Sequence, residues 1–463
     1  MSPSASPPTF LLALVCAAAC ATNARPDDPD GAAIDARFDD GGAPDPDGGG
    51  GDAAASDATV PFDPGPEPTT RIEPVPGELT ITQLELPPGI TFRMGESAIV
   101  VGPDGTMVLI DVGNSPHDDE VRAAVRRLNT EVLVPARGFA ARAPLQVEWV
   151  VLTHFHGDHI GALGDLLDPA GEPLQVTRGI VTRGLVDLGP AIGEGGFQRV
   201  CERLRASPAL HVPVCAAAAT APCDPVQFSG TYPAQRCDGL FRGDLASASD
   251  DGAGAPSFLP LGGGARLVLV AANGFVSDGQ SAVAAAPFGH EDSNQENARS
   301  LVGLIEHGAF RYHFAGDLTG RGDTGSPDLE SHLAAVAGIR WYGPRGVDVV
   351  HSHHHARRNA NNSRLVDLVT PRDGRARNVV AGINEAYLGS PYAEVLTGFA
   401  DGDRLAVGWI WATDGAAGGA VHPRLRDAGG PVVVQTVQGG RGYRVQAAGA
   451  QLYSRAYPSV AAE

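Results

Sequence analysis

Lysine is absent from this 463-residue sequence, and all 34 basic side chains are arginine. With Ala, Gly and Pro abundant, that bias points to codon usage more than to a function. Surplus positive charge is missing as well. The formal net charge is −20, so the chain advertises no electrostatic footprint for nucleic acid. Long apolar runs are lacking too: the run Phe10–Ala19 is too short to cross a membrane as a helix. None of the six cysteines stands in a Cys-x-x-Cys pair, which leaves a structural zinc without its usual spacing. What remains is ordinary for a globular protein, with 43% hydrophobic residues.

The two ends of residues 1–75 differ in character. Residues 1–20 place a short apolar core before Ala17-Ala18-Ala19-Cys20, which resembles a bacterial lipoprotein cleavage site. The expectation is export with a lipid anchor on Cys20, and ordinary secretion is the alternative. No Arg or Lys precedes the core, and Ala17 stands where leucine is usual. Residues 21–75 are rich in Asp, Gly, Ala and Pro. They hold too few large apolar side chains to bury a core, so a disordered acidic linker is expected. Between Ala21 and Thr70, twelve carboxylates against Arg25 and Arg37 carry about half of the net charge.

Residues 76–463 are expected to form one folded domain. The segment Leu79–Leu86 alternates as a strand does. Phe92–Met94, Ala98–Val101 and Met107–Asp111 continue as a β meander, with a Pro103-Asp-Gly turn before the last. Asp118–Leu128 has helical spacing. Between about 185 and 264 lies an insertion with Cys201, Cys215, Cys223 and Cys237. In an exported chain these form two disulfides of undetermined pairing; a structural zinc is the alternative. Ser300–Glu306 and Ala309–Ala315 pair across His307-Gly308, Pro327–Val336 is helical, and Val347–Val350 is a strand.

The chemistry concentrates in Thr153–Leu163, which follows the mostly apolar run Val147–Leu152. His154, His156, Asp158 and His159 fall within six residues, so a chain leaving a buried strand and turning at Gly157 aims four donors at one point. Imidazoles suit zinc, iron or manganese, and an adjacent carboxylate admits a second ion beside the first. A second concentration follows Val347–Val350, where His351, His353, His354 and His355 occupy four of five positions.

His154-Phe-His156-Gly-Asp158-His159 resembles the HxHxDH signature of the metallo-β-lactamase superfamily. The resemblance implies an α/β fold, a four-layer αββα sandwich with its metal site at one sheet edge. Asp111-Val-Gly113 resembles the family's Asp-x-Gly at a strand end. Phe314-Ala315-Gly316-Asp317 is similar to its apolar strand ending in Gly-Asp, where the Asp bridges two ions. By this resemblance His154, His156 and His290 hold one ion. Asp158, His159 and one of His354 or His355 hold the other, and Asp158 and Asp317 are the catalytic carboxylates. The ions are two divalent cations, zinc first and manganese as the alternative. His290 rests on Gly289-His290 lying some two dozen residues before Asp317; its absence from the site is the rival. The choice among His353, His354 and His355 stays open.

Asn297-x-x-Ser300-Leu-Val302, Gly316-Asp317, His354-His355 and Asn384-x-x-Tyr387-x-x-x-Pro391 occur in the order seen in the soluble hydrolase domain of ComEC-like competence proteins. Ala356 replaces a glycine of that pattern, and Ser390 a histidine. The branch implies phosphodiesterase chemistry through a hydroxide shared by two ions, on nucleic acid or a phosphorylated envelope component. Asn297, Arg357 and Arg358 are then candidates for binding substrate. Hydrolysis of a lactone, lactam or thioester is a second reading, and a catalytically silent surface module a third. The arginines from Arg340 to Arg377 discriminate: clustered at the metal mouth they favour a polyanion, scattered they favour a small or neutral substrate.

Overall fold

Alternation of apolar side chains builds the centre of the molecule. In a computed structural model, the residues described are 63, 65–87, 95–167, 175–176, 184–188, 210–215, 243–244, 258–279, 282–285, 293–320, 326–383, 390–414, 422–448 and 452–459. The expected signal segment, Phe92–Met94, Cys201, Cys223, Cys237 and His290 lie outside them. All described residues belong to one compact unit, Val60–Glu463.

The chain first lays down the meander β1 (Thr80–Gln83), β2 (Ala98–Val101) and β3 (Met107–Ile110). Helix α1 (Asp118–Arg127) follows, with acids in its first turn and arginines in its last, as the helix dipole favours. It buries Val121 and Val125, one helical turn apart. Next come β4 (Gln146–Val147), β5 (Trp149–Val151), the short helices α2 (Gly157–Ile160) and α3 (Leu163–Leu166), and β6 (Gln175–Val176), β7 (Gly184–Asp187), β8 (Leu210–Cys215) and β9 (Gly243–Asp244). Glu148, the one charge inside the apolar run before the histidines, is buried. It accepts from Met107 N at 2.7 Å and Arg142 Nη2 at 2.6 Å, so it is compensated where its burial would otherwise be costly.

A second series holds β10 (Phe258–Gly262), β11 (Ala265–Ala272), β12 (Phe275–Ser277), β13 (Ala282–Ala284), α4 (Ser293–Ala298), β14 (Val302–His307) and β15 (Phe310–Ala315). After these come α5 (Leu329–Ala337), β16 (Val349–His351), α6 (Ser363–Val369), β17 (Asn378–Ala381), α7 (Ala393–Ala400), β18 (Ile410–Ala412) and β19 (Leu425–Asp427). The last strands, β20 (Val432–Val437), β21 (Gly442–Ala448) and β22 (Leu452–Pro458), return to the first series.

Among the described residues the strands form two large sheets. One runs β22-β21-β20-β1-β2-β3-β5-β7-β8-β9; the other runs β13-β12-β11-β14-β15-β16-β17-β18-β19, with β10 on β11. Period-two alternation decides what each strand of the second sheet touches. Leu267, Leu269, Val349, Val380 and Trp411 enter the core shared with the first sheet. Their neighbours Val268, Val270, Val350, Val379 and Ile410 join a core with Leu333, Leu365 and Phe399 of the helices. Val121 and Val125 of α1 and Leu163 of α3 join the core of the first sheet. The result is the αββα sandwich.

The folded part begins earlier than Leu79, and the linker expected to reach residue 75 is shorter. Ile72 is buried and its N–H donates to Gln446 Oε1 at 2.6 Å. Gln446 Nε2 donates to Thr70 O at 3.0 Å. Strands β20–β22 have no counterpart in the expectations above. No helix among the described residues is long and apolar enough to cross a membrane.

Candidate metal centre

Five strand ends converge on one edge of the sandwich. β3 and β5 run parallel, as do β15, β16 and β17, so the segments that follow them emerge on the same side. These are Asp111, the loop from Thr153, Gly316-Asp317, Ser352–Ala356 and Gly382. β2 is antiparallel to β3 with Ala98 opposite Ile110, so Glu96, just before β2, arrives at the same edge.

The first ligand arm is Thr153–His159. Thr153 N donates to Asp111 Oδ1 at 2.7 Å, and Phe155 N, between two of the histidines, to Glu296 Oε1 at 2.9 Å. His156 is extended, with φ −69° and ψ 152°, and α2 begins directly after it. Asp158 and His159 lie in that first helical turn. Asp317 is set by its own N–H, which donates to Ser300 Oγ at 3.0 Å. Glycine is required at 316, since a Cβ there would collide with Thr153 Oγ1 and crowd His154 Nδ1.

Asp317 divides its carboxylate between two groups of imidazoles. Its Oδ2 lies 3.7 Å from His154 Nε2 and 3.3 Å from His354 Nε2. Its Oδ1 lies 3.3 Å from His159 Nε2 and 3.5 Å from His355 Nε2. His156 Nδ1 is 3.1 Å from His154 Nε2, on the first side. Asp158 Oδ2 is 3.6 Å from His355 Nε2 and 4.0 Å from His159 Nε2, on the second. Among the described residues two sets have all their donor atoms within 4.8 Å of one another: His154, His156 and Asp317, and Glu96, His159, Asp317 and His355.

The cluster is almost wholly buried, and its charges answer one another. Burial alone would raise the Asp317 carboxyl, but His354, His159 and His355 hold it well below the usual range. Burial opposes the charge on Asp158 also, and His159 and His355 overcome it, keeping it ionised. Burial works against protonated His159 and His355, yet the carboxylates around them raise both imidazoles, His159 well above its ordinary value. Burial prevails at His154, well below the usual value, and at His354, which falls to about 4. Desolvation raises Asp111 despite its hydrogen bond to His159.

The residues fit a pair of divalent cations. His159 Nδ1 is 2.8 Å from Asp111 Oδ2, which turns Nε2 inward. There Nε2 and Oδ1 of Asp317 are buried without a hydrogen bond, a state that costs free energy unless something compensates it. A carboxylate behind a ligating histidine is the usual support of a metal site. Imidazole and carboxylate are the donors that zinc accepts.

The structure brings His154, His156, Asp158, His159, Asp317, His354 and His355 together. His354 and His355 both face Asp317, one to each oxygen. His353 turns the other way, toward His313 and Glu330. His290 and Asn384–Gly389 lie outside the described residues. Asn297 Nδ2 is 3.5 Å from His354 Nε2, and Arg357 is close enough to depress the His354 imidazole, after burial and His355. Arg358 is exposed and lies 4.0 Å from Glu394.

Arg345, Arg372, Arg375 and Arg377 lie away from the cluster. Arg377 is buried on Asp373, with Nη2 to Oδ2 at 2.7 Å, and Arg372 pairs with Asp401. Both precede β17, at the opposite end of the parallel strands from the cluster. Glu96 was not singled out by motif. Its signal is the pairing of β2 with β3, which sets the residue before one beside the residue after the other: Gly113 N donates to Glu96 O at 3.0 Å. Glu96 Oε2 lies 3.3 Å from His355 Nδ1, and Oε1 pairs with His351.

Residues 91–185 match the profile of the metallo-beta-lactamase superfamily. Among solved structures, the Rm3 metallo-beta-lactamase aligns at 14% identity over 57% of this chain and 74% of its own, with a TM-score of 0.25. The metallo-beta-lactamase SMB-1, bound to 2-mercaptoethanesulfonate, gives 14% identity, 56% and 73% coverage and a TM-score of 0.24. The flavodiiron protein from Giardia intestinalis gives 12% identity, 78% and 86% coverage and a TM-score of 0.23. No curated protein matches the sequence significantly.

Proposed function

We propose that this chain, which carries a metallo-beta-lactamase superfamily domain, is a metal-dependent hydrolase working through two divalent cations, with zinc the first choice and manganese the second. The observation that carries the reading is Asp317, whose two oxygens each face a separate pair of imidazoles. His154, His156 and His354 would hold the first cation with Asp317 Oδ2. Asp158, His159 and His355 would hold the second with Oδ1, and Glu96 stands against His355. When bound, such a pair brings the pKa of a coordinated water toward neutrality and neutralises charge developing on a substrate oxygen. The protein's own groups keep the donors in place: Asp111 fixes the His159 tautomer, and Gly382 O, 2.9 Å from His355 Nδ1, turns His355 Nε2 inward. Asp158 and Asp317 stay ionised and accept rather than donate protons.

A phosphodiester is the substrate class favoured. It follows from the ComEC-like order of Asn297, Gly316-Asp317 and His354-His355, and from Asn297 and Arg357 beside His354. The position of Arg345, Arg372, Arg375 and Arg377 away from the cluster favours a compact phosphodiester over nucleic acid, and the same observation supports a lactone or lactam as the second reading. Export is part of the proposal, resting on Phe10–Ala19 and Cys20, with the lipid anchor holding the enzyme at the cell envelope.

Metal content and turnover of bis-nitrophenyl phosphate test the reading. The expected result is two cations per chain and hydrolysis that a chelator abolishes. Two cations with turnover only of a lactone or lactam would move the substrate to the second reading. A protein that binds no cation would overturn the hydrolase.

A further inference from the structure

The second ligand arm adopts a backbone that side chains rarely accept. His354, His355 and Ala356 have φ of 49°, 51° and 56° in succession. A left-handed residue with a Cβ is sterically disfavoured, so the turn persists only if its surroundings hold it. The turn itself is tied by His354 N donating to Gly316 O at 3.3 Å and by Tyr392 N donating to Ala356 O at 3.1 Å, and the residue before it is held by a buried polar chain that contributes none of the cluster's donor atoms. Glu330, on α5 and wholly buried, accepts from His353 Nδ1 at 2.7 Å, from Asn361 N at 2.7 Å and from Asn362 N at 2.6 Å. Asn361 Oδ1 accepts from His353 N at 3.0 Å, and its Nδ2 donates to His353 O at 2.9 Å. On its far side the His353 ring meets His313 Nε2 at 2.7 Å, and His313 Nδ1 meets the Tyr342 hydroxyl at 2.9 Å.

The directions of these bonds follow from Glu330. A carboxylate accepting two backbone N–H groups can only accept from His353, so His353 Nδ1 donates. Its Nε2 then accepts from His313, whose Nδ1 accepts the Tyr342 proton. Every ring position is specified, so His353 is clamped on both edges and on both of its backbone groups. It is the residue from which the left-handed turn starts.

We propose that Glu330 is a positioning residue: through His353 and Asn361 it holds the turn that sends His354 to one cation position and His355 to the other. The inference rests on the two-cation reading and assigns its support to a residue outside the cluster. In Glu330→Gln the amide would present a donor to one of three donors, releasing the turn.

The test uses the full chain, with zinc affinity measured by chelator competition and the cobalt(II) absorption spectrum as a report of ligand geometry. Leu333→Ala, on the same helix with a buried side chain off the polar chain, supplies a comparable loss of stability. Glu330→Gln is expected to bind zinc about 10–100-fold more weakly than the native protein, the scale of lost outer support, with an altered cobalt spectrum. Leu333→Ala is expected to keep native affinity and spectrum. If Glu330→Gln does not fold, Asn361→Gly serves, because Asn361 is itself at φ 59° and glycine keeps that backbone while deleting both side-chain bonds. Native affinity in Glu330→Gln or Asn361→Gly, or equal weakening in Leu333→Ala, would overturn the positioning role alone. A native protein that binds no cation would overturn the role together with the reading beneath it.

Discussion

The two ligand arms reach the same carboxylate by opposite means. The first, Thr153–His159, uses regular backbone: an extended His156, then a helical turn. Its donors are spaced by the geometry of a strand running into a helix, and so the arrangement is written locally. The second, Ser352–Ala356, uses three left-handed residues held by Glu330 and Asn361. Its donors are adjacent in sequence and point apart only because groups elsewhere force them to. Regular geometry is cheap and compact to encode; strained geometry is distributed over distant segments.

The change that should collapse the comparison entirely is Asp317→Ala, since both arms face that side chain. Loss of both cations and a fall in turnover of about a thousandfold or more is expected, read by metal analysis beside kinetics. Next in size, His156→Ala and His355→Ala should separate the two cation positions, each of which draws on both arms, with each variant leaving one tightly bound cation of two; loss of both in either variant would show that the positions are not independent. Asp111→Asn is the first arm's counterpart to Glu330→Gln. It should weaken zinc about 10–100-fold, because the amide no longer fixes the His159 tautomer.

The pH dependence follows from the imidazoles on the second side of Asp317. Without a cation, His159 and His355 hold protons beyond their ordinary range because of the surrounding carboxylates, despite burial. That contribution to stability is complete below the ordinary imidazole value of about 6.5 and is lost as pH rises through the raised values. A cation must displace these protons, so zinc affinity should climb with pH over the same window. Titration calorimetry in buffers of different ionisation enthalpy would count the protons released, and a flat profile would contradict the ligand assignment. The smallest effect is Ala356→Gly. With φ 56° at Ala356, the change should relieve strain, for a gain of up to about 1 kcal/mol in thermal unfolding.

That last position shows how legibility divided. Glycine is the residue that marks a left-handed position in a sequence, and at Ala356 the chain takes that conformation, at φ 56°, without the marker. His154, His156, Asp158 and His159 were visible because their spacing is the geometry. Asp317 was visible as the end of an apolar strand in Gly-Asp. The division of His354 from His355 was not, because neighbouring positions carry no φ. Glu96 stayed hidden as a single carboxylate before a strand, made local to the site by a hairpin register. Glu330 sits in an unremarkable helix, and only the fold brings it under the arm. Strands β20–β22 were missed because no motif marks them.

Those last strands have a consequence for how the molecule assembles. β1 lies between β2 and β20, with Thr80 opposite both Val101 and Gln435. One neighbour is close in sequence and the other is almost the whole domain away. Closing so long a loop is slow and comes late. Until it closes, β1 is an edge strand whose backbone groups can pair with another chain. The hazard of aggregation during synthesis is therefore set by a strand that joins only after every residue of the cluster has been made.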